Sequence, residues 1–290
     1  MHVNTQTNST SQSNQLSHFP STVAFIGAGN MAGAMIGGLL ARGLPKEQLI
    51  ATARTPERCE ALSKEFGIEA TSDNKAAVEQ SDIVLLAVKP NAMKEVCLEI
   101  APHLKADAVI ITVAVGIPIS TYIGWLGEHA IIRCMPNTPS LVQLGAIGLY
   151  ANELCSETQK SSAQSVLSAI GLCVWVDTEE QIHAVTAVSG SGPAYFFLIL
   201  EAMIEEGVRQ GLNVEVAKQL AIQTALGAAT LAAQSPDQPA ELRRKVTSPN
   251  GTTEQAIKQF ESENLRAIFS RAMTACSNRS KAMGEELKEQ

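Results

Sequence analysis

Two stretches of this chain carry residue types and spacings that could do chemistry. The first is Val246-Thr-Ser-Pro-Asn-Gly-Thr-Thr253, which runs into Glu254-Gln-Ala-Ile-Lys-Gln-Phe260. Pro249 and Gly251 break periodic structure. Thr252 and Thr253 precede an apolar-periodic run, so the loop is expected to end in a helix start with hydroxyl side chains at the cap. A helix N-terminus offers unpaired backbone N–H groups and the positive end of a dipole, a setting for a small anion such as a carboxylate. Ser248, Asn250, Gly251, Thr252 and Thr253 are therefore candidate substrate-binding residues, in a cradle without Lys or Arg. The same string also serves as an ordinary helix cap. The second stretch is Gly27-Ala-Gly-Asn-Met-Ala-Gly33, preceded by the apolar run Thr22-Val-Ala-Phe-Ile26 and followed at once by a helical pattern. G-x-G-x-x-A between strand and helix is the dinucleotide fingerprint: Gly27 for the turn, Gly29 for close approach of pyrophosphate, Ala32 for helix–strand packing. Ala28, Asn30 and Met31 complete the candidate cofactor turn. A glycine-rich turn in another α/β fold reads the same way.

The elements that must position these stretches follow in order. Gln48-Leu-Ile-Ala-Thr-Ala53 fits a second strand, ending in Arg54-Thr55-Pro56. An NAD-preferring fold places an acid about 20 residues beyond the glycines to hold the ribose 2′-hydroxyl, whereas a nearby Arg accommodates a 2′-phosphate. Here the acid is missing, and Arg54 with Thr55 stands where a phosphate needs a cation and a donor. NADPH is the expected cofactor, with NADH accepted less well; the alternative is that Arg54 merely starts the next helix as a solvated side chain. Ser81 to Val88, ending in Lys89-Pro90, and Ala108 to Val115, ending in Gly116, suit parallel strands buried on two faces. Ligands in such sheets lie beyond the carboxyl ends of strands, so Ala87, Val88, Lys89 and Pro90, with Val113 to Gly116 and Ala114 among them, are expected to line the cofactor crevice. Lys89 also reads as a structural charge at a strand end. His129 to Met135 meets Pro136-Asn-Thr-Pro139, a stiff turn that an inert connector would also use. A strand at Gly145 to Tyr150, a helix near 158–170 and a strand at Cys173 to Val176 precede a tail that is almost all helix. Within it, Ser189-Gly-Ser-Gly-Pro-Ala-Tyr195 has small residues that allow close approach, and Pro193 suits a first helical turn. Ala194 to Gln210 is apolar on most faces and the Ala-rich Val216 to Ala233 reads similarly, so the helical region is expected to form an obligate homodimer.

A chain of 290 residues with 45% hydrophobic content can bury a large core and suggests two domains, soluble and globular. The net charge of -7 has no basic run to offset it, which sets aside nucleic acid and anionic membrane surfaces as partners. No apolar run approaches the roughly 18 residues that span a bilayer. Met1 to Pro20 lack Lys, Arg and an apolar core, so they are neither secretory signal nor transit peptide and read as a disordered tail. Six scattered cysteines without a C-x-x-C pair argue for reduced thiols, no metal site and a cytoplasmic location.

Ser189-Gly-Ser-Gly-Pro-Ala-Tyr195 followed by Thr247-Ser-Pro-Asn-Gly-Thr-Thr253, together with the Gly27 turn and Ala87-Val-Lys-Pro90, resembles the pyrroline-5-carboxylate reductase family, over nearly the whole chain after residue 20. Asn250 departs from the pattern, standing where many members have Gly; Asn tolerates left-handed backbone, so the loop shape is expected to survive. The resemblance implies an α/β fold with a Rossmann-like dinucleotide-binding domain over 21–178 and an all-α dimerisation and substrate domain over 179–290. It further implies substrate held at the dimer interface, and a homodimer that can build a higher assembly of dimers. It places Asn74 at the ribose side of the cofactor, Ala87 to Pro90 at the cofactor site, and Arg133-x-Met-x-Asn-Thr-Pro139 near the nicotinamide. The implied reaction reduces 1-pyrroline-5-carboxylate to L-proline, the last step of proline synthesis. That chemistry needs a hydride, one proton on nitrogen and a hold on the carboxylate, but no metal. The imine nitrogen is basic enough to arrive largely protonated, so positioning, worth about 7–11 kcal/mol, is the main task. Thr253 is the candidate catalytic residue, hydrogen-bonding the ring nitrogen while the amides of Gly251 to Thr253 hold the carboxylate. His183, on an apolar helix, reads as a packed residue. Two other readings stay open: a 3-hydroxyacid-type NADP dehydrogenase, which would need a lysine that Ser189 to Leu200 lacks, and a non-enzymatic NADP-sensing protein of the same fold.

Overall fold

Short apolar runs alternating with helical stretches build one sheet covered on both faces. In the computed structural model, which describes residues 16–288, the chain runs β1 (Val23–Ile26), α1 (Asn30–Ala41), β2 (Leu49–Thr52), α2 (Pro56–Phe66), β3 (Glu69–Thr71), α3 (Asn74–Glu79), β4 (Ile83–Leu86), α4 (Pro90–Ile100), β5 (Val109–Thr112), α5 (Ile119–Leu126), β6 (Ala130–Met135), β7 (Gly145–Ala151), α6 (Glu157–Leu167) and β8 (Gly171–Trp175). The sheet order is β3-β2-β1-β4-β5-β6-β7-β8. All neighbours are parallel except β6 and β7. In β1, β2, β4 and β5 every side chain is buried, which is why these strands read as continuous apolar runs rather than alternating ones. Alternate residues feed two cores. Phe25, Leu85 and Ile111 meet Leu39 of α1 and Leu167 of α6 on one face, while Ile26, Leu86 and Ile110 meet Met93 of α4 and Tyr122 of α5 on the other.

Beyond β8 come α7 (Gln181–Val185), a wider π-helical turn at Thr186–Gly190, then α8 (Gly192–Arg209), α9 (Val214–Gln234), α10 (Pro239–Lys245), α11 (Thr252–Ser262) and α12 (Leu265–Lys288). Contacts divide the chain into two units. The sheet unit runs to Gly190 and takes back the residues from Ser277, and the helical unit is Ser191–Cys276. The division therefore falls inside the Ser-Gly-Ser-Gly motif, and the last part of α12 packs on the sheet unit: Gly116, at φ 90°, lies where a Cβ would sit 3.2 Å from Met283. Within the helical unit α8 and α9 form a hairpin through Gly211, whose φ of 101° suits glycine.

Two expectations are corrected and one strand is added. The disordered tail does not extend to Pro20: residues 1–15 lie outside the described residues, but Leu16 is buried in the core, and the Phe19 amide donates to its carbonyl at 3.0 Å. An anchor of one leucine in a polar stretch leaves no periodicity to read. β3 went unread because Glu69-Ala-Thr71 is three residues at the sheet's edge with no buried side chain. Finally, the helical stretch Gln181–Arg209 is 29 residues long with a window of mean hydropathy 1.4, enough in length and composition to cross a bilayer. In the single chain, Phe196 is 64% and Leu198 66% exposed.

A buried ion pair ties the sheet unit together. Arg133 on β6, 3% exposed, donates from Nη1 to Glu179 Oε1 at 2.8 Å, and the same oxygen accepts the Ile119 amide at 2.8 Å. Glu179 thus serves the start of α5, where Pro118 offers no capping side chain.

Candidate functional site

The glycine turn after β1 is held by β2: the Gly27 amide donates to the Thr52 hydroxyl at 3.1 Å and the Ala28 amide to the Thr52 carbonyl at 2.8 Å. Gly27 has φ 86°, and a Cβ there would meet Val88 at 2.4 Å. At Gly29 the opposite holds, because an added Cβ would meet nothing within 4 Å. Gly29 caps α1 without a side-chain hydrogen bond, and the first turn carries no acid. Open space in front of uncapped N–H groups is what a pyrophosphate requires, so these residues fit a dinucleotide.

Around this turn lies a cavity of about 520 Å³. It gathers Gly27, Ala28, Gly29, Arg54, Thr55, Asn74, Ala87, Val88 and Lys89. Neither Arg54 nor Lys89 has an ion-pair partner among the described residues. Thr55 is the N-cap of α2 and accepts the Arg58 amide at 3.4 Å, leaving its hydroxyl hydrogen free to donate. Asn74 donates to Glu99 at 3.0 Å. Of the other expected cofactor residues, Asn30 and Pro90 are the first residues of α1 and α4, Met31 packs against the core, and Ala32 is fully buried as a packing residue. None of these four lines the cavity, and nor does any of Val113 to Gly116. Ala114 is buried in the α4–α5 core and Gly116 is occupied by α12. Arg58 escaped the sequence reading. It lines the cavity and donates from Nη2 to the Ala28 carbonyl at 3.3 Å. Its signal was its place in the first turn of α2, three residues after the Thr55 cap and four after Arg54.

The Pro136-Asn-Thr-Pro139 turn is built in, not slack. Asn137 donates to the Ser189 carbonyl at 3.0 Å and accepts the Ala146 amide at 3.0 Å, joining the end of β6 to β7 and to the π-helical turn. His183 is half-buried and shares a 2.9 Å hydrogen bond with Ser280. Burial, then the charges of Arg133 and Lys281, hold its pKa below the ordinary value, so it is a poor store of a proton. All six cysteines are free, and burial pushes Cys97 up to about 12 and Cys155 to about 11, away from thiolate chemistry.

In the helical unit the loop ends in a helix, as expected, but the cap differs. Gly251 is the N-cap of α11, without a side-chain bond, so Thr252 and Thr253 are its first two helical residues and their hydroxyls do not cap. Their amides are first-turn donors left unpaired. The Gly251 amide, by contrast, is spent on the Ser248 carbonyl at 3.0 Å and the Asn250 amide on Glu254 at 3.0 Å. Asn250 takes φ 60°, the left-handed geometry expected of it. The cations nearest in sequence are neutralised: Arg243 pairs with Glu261, Arg244 with Glu241, Lys245 with Asp237 and Lys258 with Glu254. Any anion here is held by backbone and hydroxyl donors.

An eight-stranded sheet with a pyrophosphate-shaped glycine turn, unpaired cations beyond β2 and a separate helical unit defines a nicotinamide-nucleotide oxidoreductase of Rossmann-like fold. Residues 179–283 match the family model described as pyrroline-5-carboxylate reductase dimerisation, and residues 22–116 match NADP oxidoreductase, coenzyme F420-dependent. The pyrroline-5-carboxylate reductase of Pseudomonas aeruginosa is 50% identical over 266 residues, 91% of this chain and 97% of the relative. A solved pyrroline-5-carboxylate reductase from Coxiella burnetii superposes with TM-score 0.88 at 44% identity, covering 91% of this chain and 98% of that one. The Plasmodium falciparum pyrroline carboxylate reductase, solved with NADP bound, gives 0.80 at 28% identity over 91% and 98%. This chain belongs to the pyrroline-5-carboxylate reductase family.

Proposed function

We propose that Thr252 and Thr253 hold the substrate, and that NADPH is preferred over NADH, in the reaction this chain catalyses: reduction of 1-pyrroline-5-carboxylate to L-proline. The cofactor is NADP(H), which supplies the hydride when bound. The chain's own part is to bind and orient. Gly27 to Gly29 and the start of α1 would receive the pyrophosphate, and Arg54 with the Thr55 hydroxyl would receive the 2′-phosphate. In the helical unit, the free amides of Thr252 and Thr253 donate to the substrate carboxylate, with the hydroxyls of Ser248 and Thr253 as further donors. The observation that carries the substrate assignment is that both threonines sit inside the helix instead of capping it, which leaves their donors unspent. Since the imine arrives largely protonated, the Thr253 hydroxyl is needed to position the ring nitrogen and not to supply a strong acid.

Thr253→Ala is therefore expected to lower kcat/KM for pyrroline-5-carboxylate by about three- to tenfold, the value of one neutral hydrogen bond, while the NADPH Kd holds. Thr253→Ser should be mild. Because Thr253 is not a cap, the melting temperature of the Ala variant should also hold. A loss of about 10² or more would instead give the hydroxyl a share in moving the proton, and unchanged kinetics would remove Thr253 from the site. Parallel assays of NADPH consumption with the imine, and of NADP reduction with small 2- and 3-hydroxy acids, test the reaction class against the dehydrogenase alternative.

The chain forms a homodimer. We infer that the dimer is obligate and open to further association, because Phe196, Phe197 and Leu198 of α8 and Leu220 and Leu226 of α9 are more than half exposed in the single chain. Melting temperature should then rise with protein concentration. A monomer in light scattering at micromolar protein, melting at a concentration-independent temperature, would contradict this. Six free thiols, four of them buried, and an NADP(H) reductant favour the cytoplasm as its location.

A further inference from the structure

The π-helical turn Thr186–Gly190 carries a carbonyl that its own helix cannot satisfy. In an α-helical course the Ser189 carbonyl would accept the amide of residue 193, which is Pro193 and has no N–H. The next amide along, that of Ala194, goes to the Ser191 carbonyl at 3.1 Å. A donor must then come from elsewhere. It is the Nδ2 of Asn137, 3.0 Å away, in the turn that follows β6. Asn137 is 8% exposed, and its Oδ1 accepts the Ala146 amide at 3.0 Å. With a backbone N–H on one side and a carbonyl on the other, the side-chain amide fits in one orientation only. Met135 of β6 bears on the same turn: a Cβ on Gly190 would sit 2.5 Å from its terminal methyl. The turn's own hydroxyls point back along the helix, Thr186 to the Ile182 carbonyl at 2.8 Å and Ser189 to that of Val185 at 3.1 Å.

Asn137 thus holds the chain just before Gly190, where the sheet unit gives way to the helical unit at Ser191. The hydride leaves a nicotinamide bound by the sheet unit and reaches an imine that the reading above gives to Thr252 and Thr253 of the helical unit. A misplacement of about 1 Å in such a pair can cost about 10² in rate. Interruptions of the π-helical kind recur at functional sites. We propose that Asn137 is a positioning residue for the hydride step: by fixing the Ser189 carbonyl to the end of β6, it sets the point from which the substrate-holding helices start. This rests on the assignment of the substrate to Thr252 and Thr253.

The test is Asn137→Asp, which keeps the acceptor for the Ala146 amide and removes the donor to Ser189. At about pH 8.5 the new carboxylate faces the Ser189 carbonyl, and kcat for the imine is expected to fall about tenfold or more while the NADPH Kd holds. On acidification the carboxyl takes up a proton and donates its O–H to the same carbonyl. Burial and that acceptor hold the proton above the ordinary carboxylate range, so kcat relative to the wild type should climb as pH falls from about 8.5 to about 5.5. Were Asn137 only a structural residue, the folded variant, counted by NADPH binding, would turn over like the wild type at both pH values, and that result overturns the proposal. A loss that acid leaves in place overturns it too. Should the Asp variant not bind NADPH, Met135→Leu decides, since it withdraws the methyl from Gly190 at nearly constant volume and buries no charge. A fall in kcat of about threefold at unchanged NADPH Kd then supports the proposal, and an unchanged kcat overturns it. Thr253→Ala tells the two readings apart. If its kcat/KM holds, the substrate assignment has failed; if its kcat/KM falls while Asn137→Asp behaves as wild type, only the role of Asn137 is lost.

Discussion

Glu179→Ala is expected to destabilise the sheet unit by about 3 kcal/mol, a fall of about 6–12 °C in melting temperature at fixed protein concentration. Arg133 is 3% exposed and its one ionic partner among the described residues is Glu179, with its Nε already buried and unpaired. Removing the carboxylate leaves a guanidinium in the interior without compensation, the costly half of a buried pair. The figure is taken at the lower end for such pairs because Glu179 itself is 22% exposed and water can partly replace it. The Ile119 amide at the head of α5 loses its acceptor in the same step. Glu179→Gln separates the two contributions, since the amide oxygen can still accept from Ile119 while the charge is gone. Replacing both partners, Arg133→Met with Glu179→Leu, should recover most of the loss, because two apolar groups need no compensation. A Glu179→Ala protein that melts with the wild type would show that the pair is open to solvent.

What the sequence disclosed and what it withheld follow from the range of each signal. β1, β2, β4 and β5 were legible because burial on both faces writes itself as an unbroken apolar run, and the Gly27 turn because its strand and helix flank it directly. The cofactor cavity then assembled from the ends of β1, β2 and β4, as a parallel sheet requires. Val113 to Gly116 obey the same rule in sequence and still fail to line that cavity: Ala114 is packed into the α4–α5 core, and α12, far along the chain, fills the space beside Gly116. No local pattern reports that. Leu16 is a similar case: its acceptor is the Arg42 carbonyl, beyond any window of periodicity.

The loop at Thr252 and Thr253 shows a different limit. Thr after Gly reads as a cap by residue preference, yet the helix begins one residue earlier in register, with Gly251 at the cap position and the threonines inside. Preference ranks residue types and leaves the register to the turn, here set by the Gly251 amide bonding back to Ser248 and by Asn250 at φ 60°. That shift of one residue is what turns two structural hydroxyls into free ones.

Arg54→Ala should raise the Kd for NADPH by about one to two decades while barely changing that for NADH, since a charge-assisted hydrogen bond to phosphate is worth about 1.5–3 kcal/mol. Arg54 lines the cavity beyond β2 with no carboxylate to occupy it, so its charge is available to a ligand. Arg58 sharpens the expectation. Its guanidinium already donates to the Ala28 carbonyl, which belongs to the turn that both nucleotides would use. If that tie to the turn is its main task, Arg58→Ala should weaken NADPH and NADH by the same factor, because what is lost is the shape of the cradle. If its remaining donors also meet the 2′-phosphate, the loss falls on NADPH alone and the double variant with Arg54 loses more than either single one. Fluorescence titration of both nucleotides against the three variants reads these factors without turnover. Equal losses for NADPH and NADH in Arg54→Ala would defeat the assignment of Arg54 to the 2′-phosphate and leave Arg58 as the cation beyond β2 that could carry a preference for NADPH.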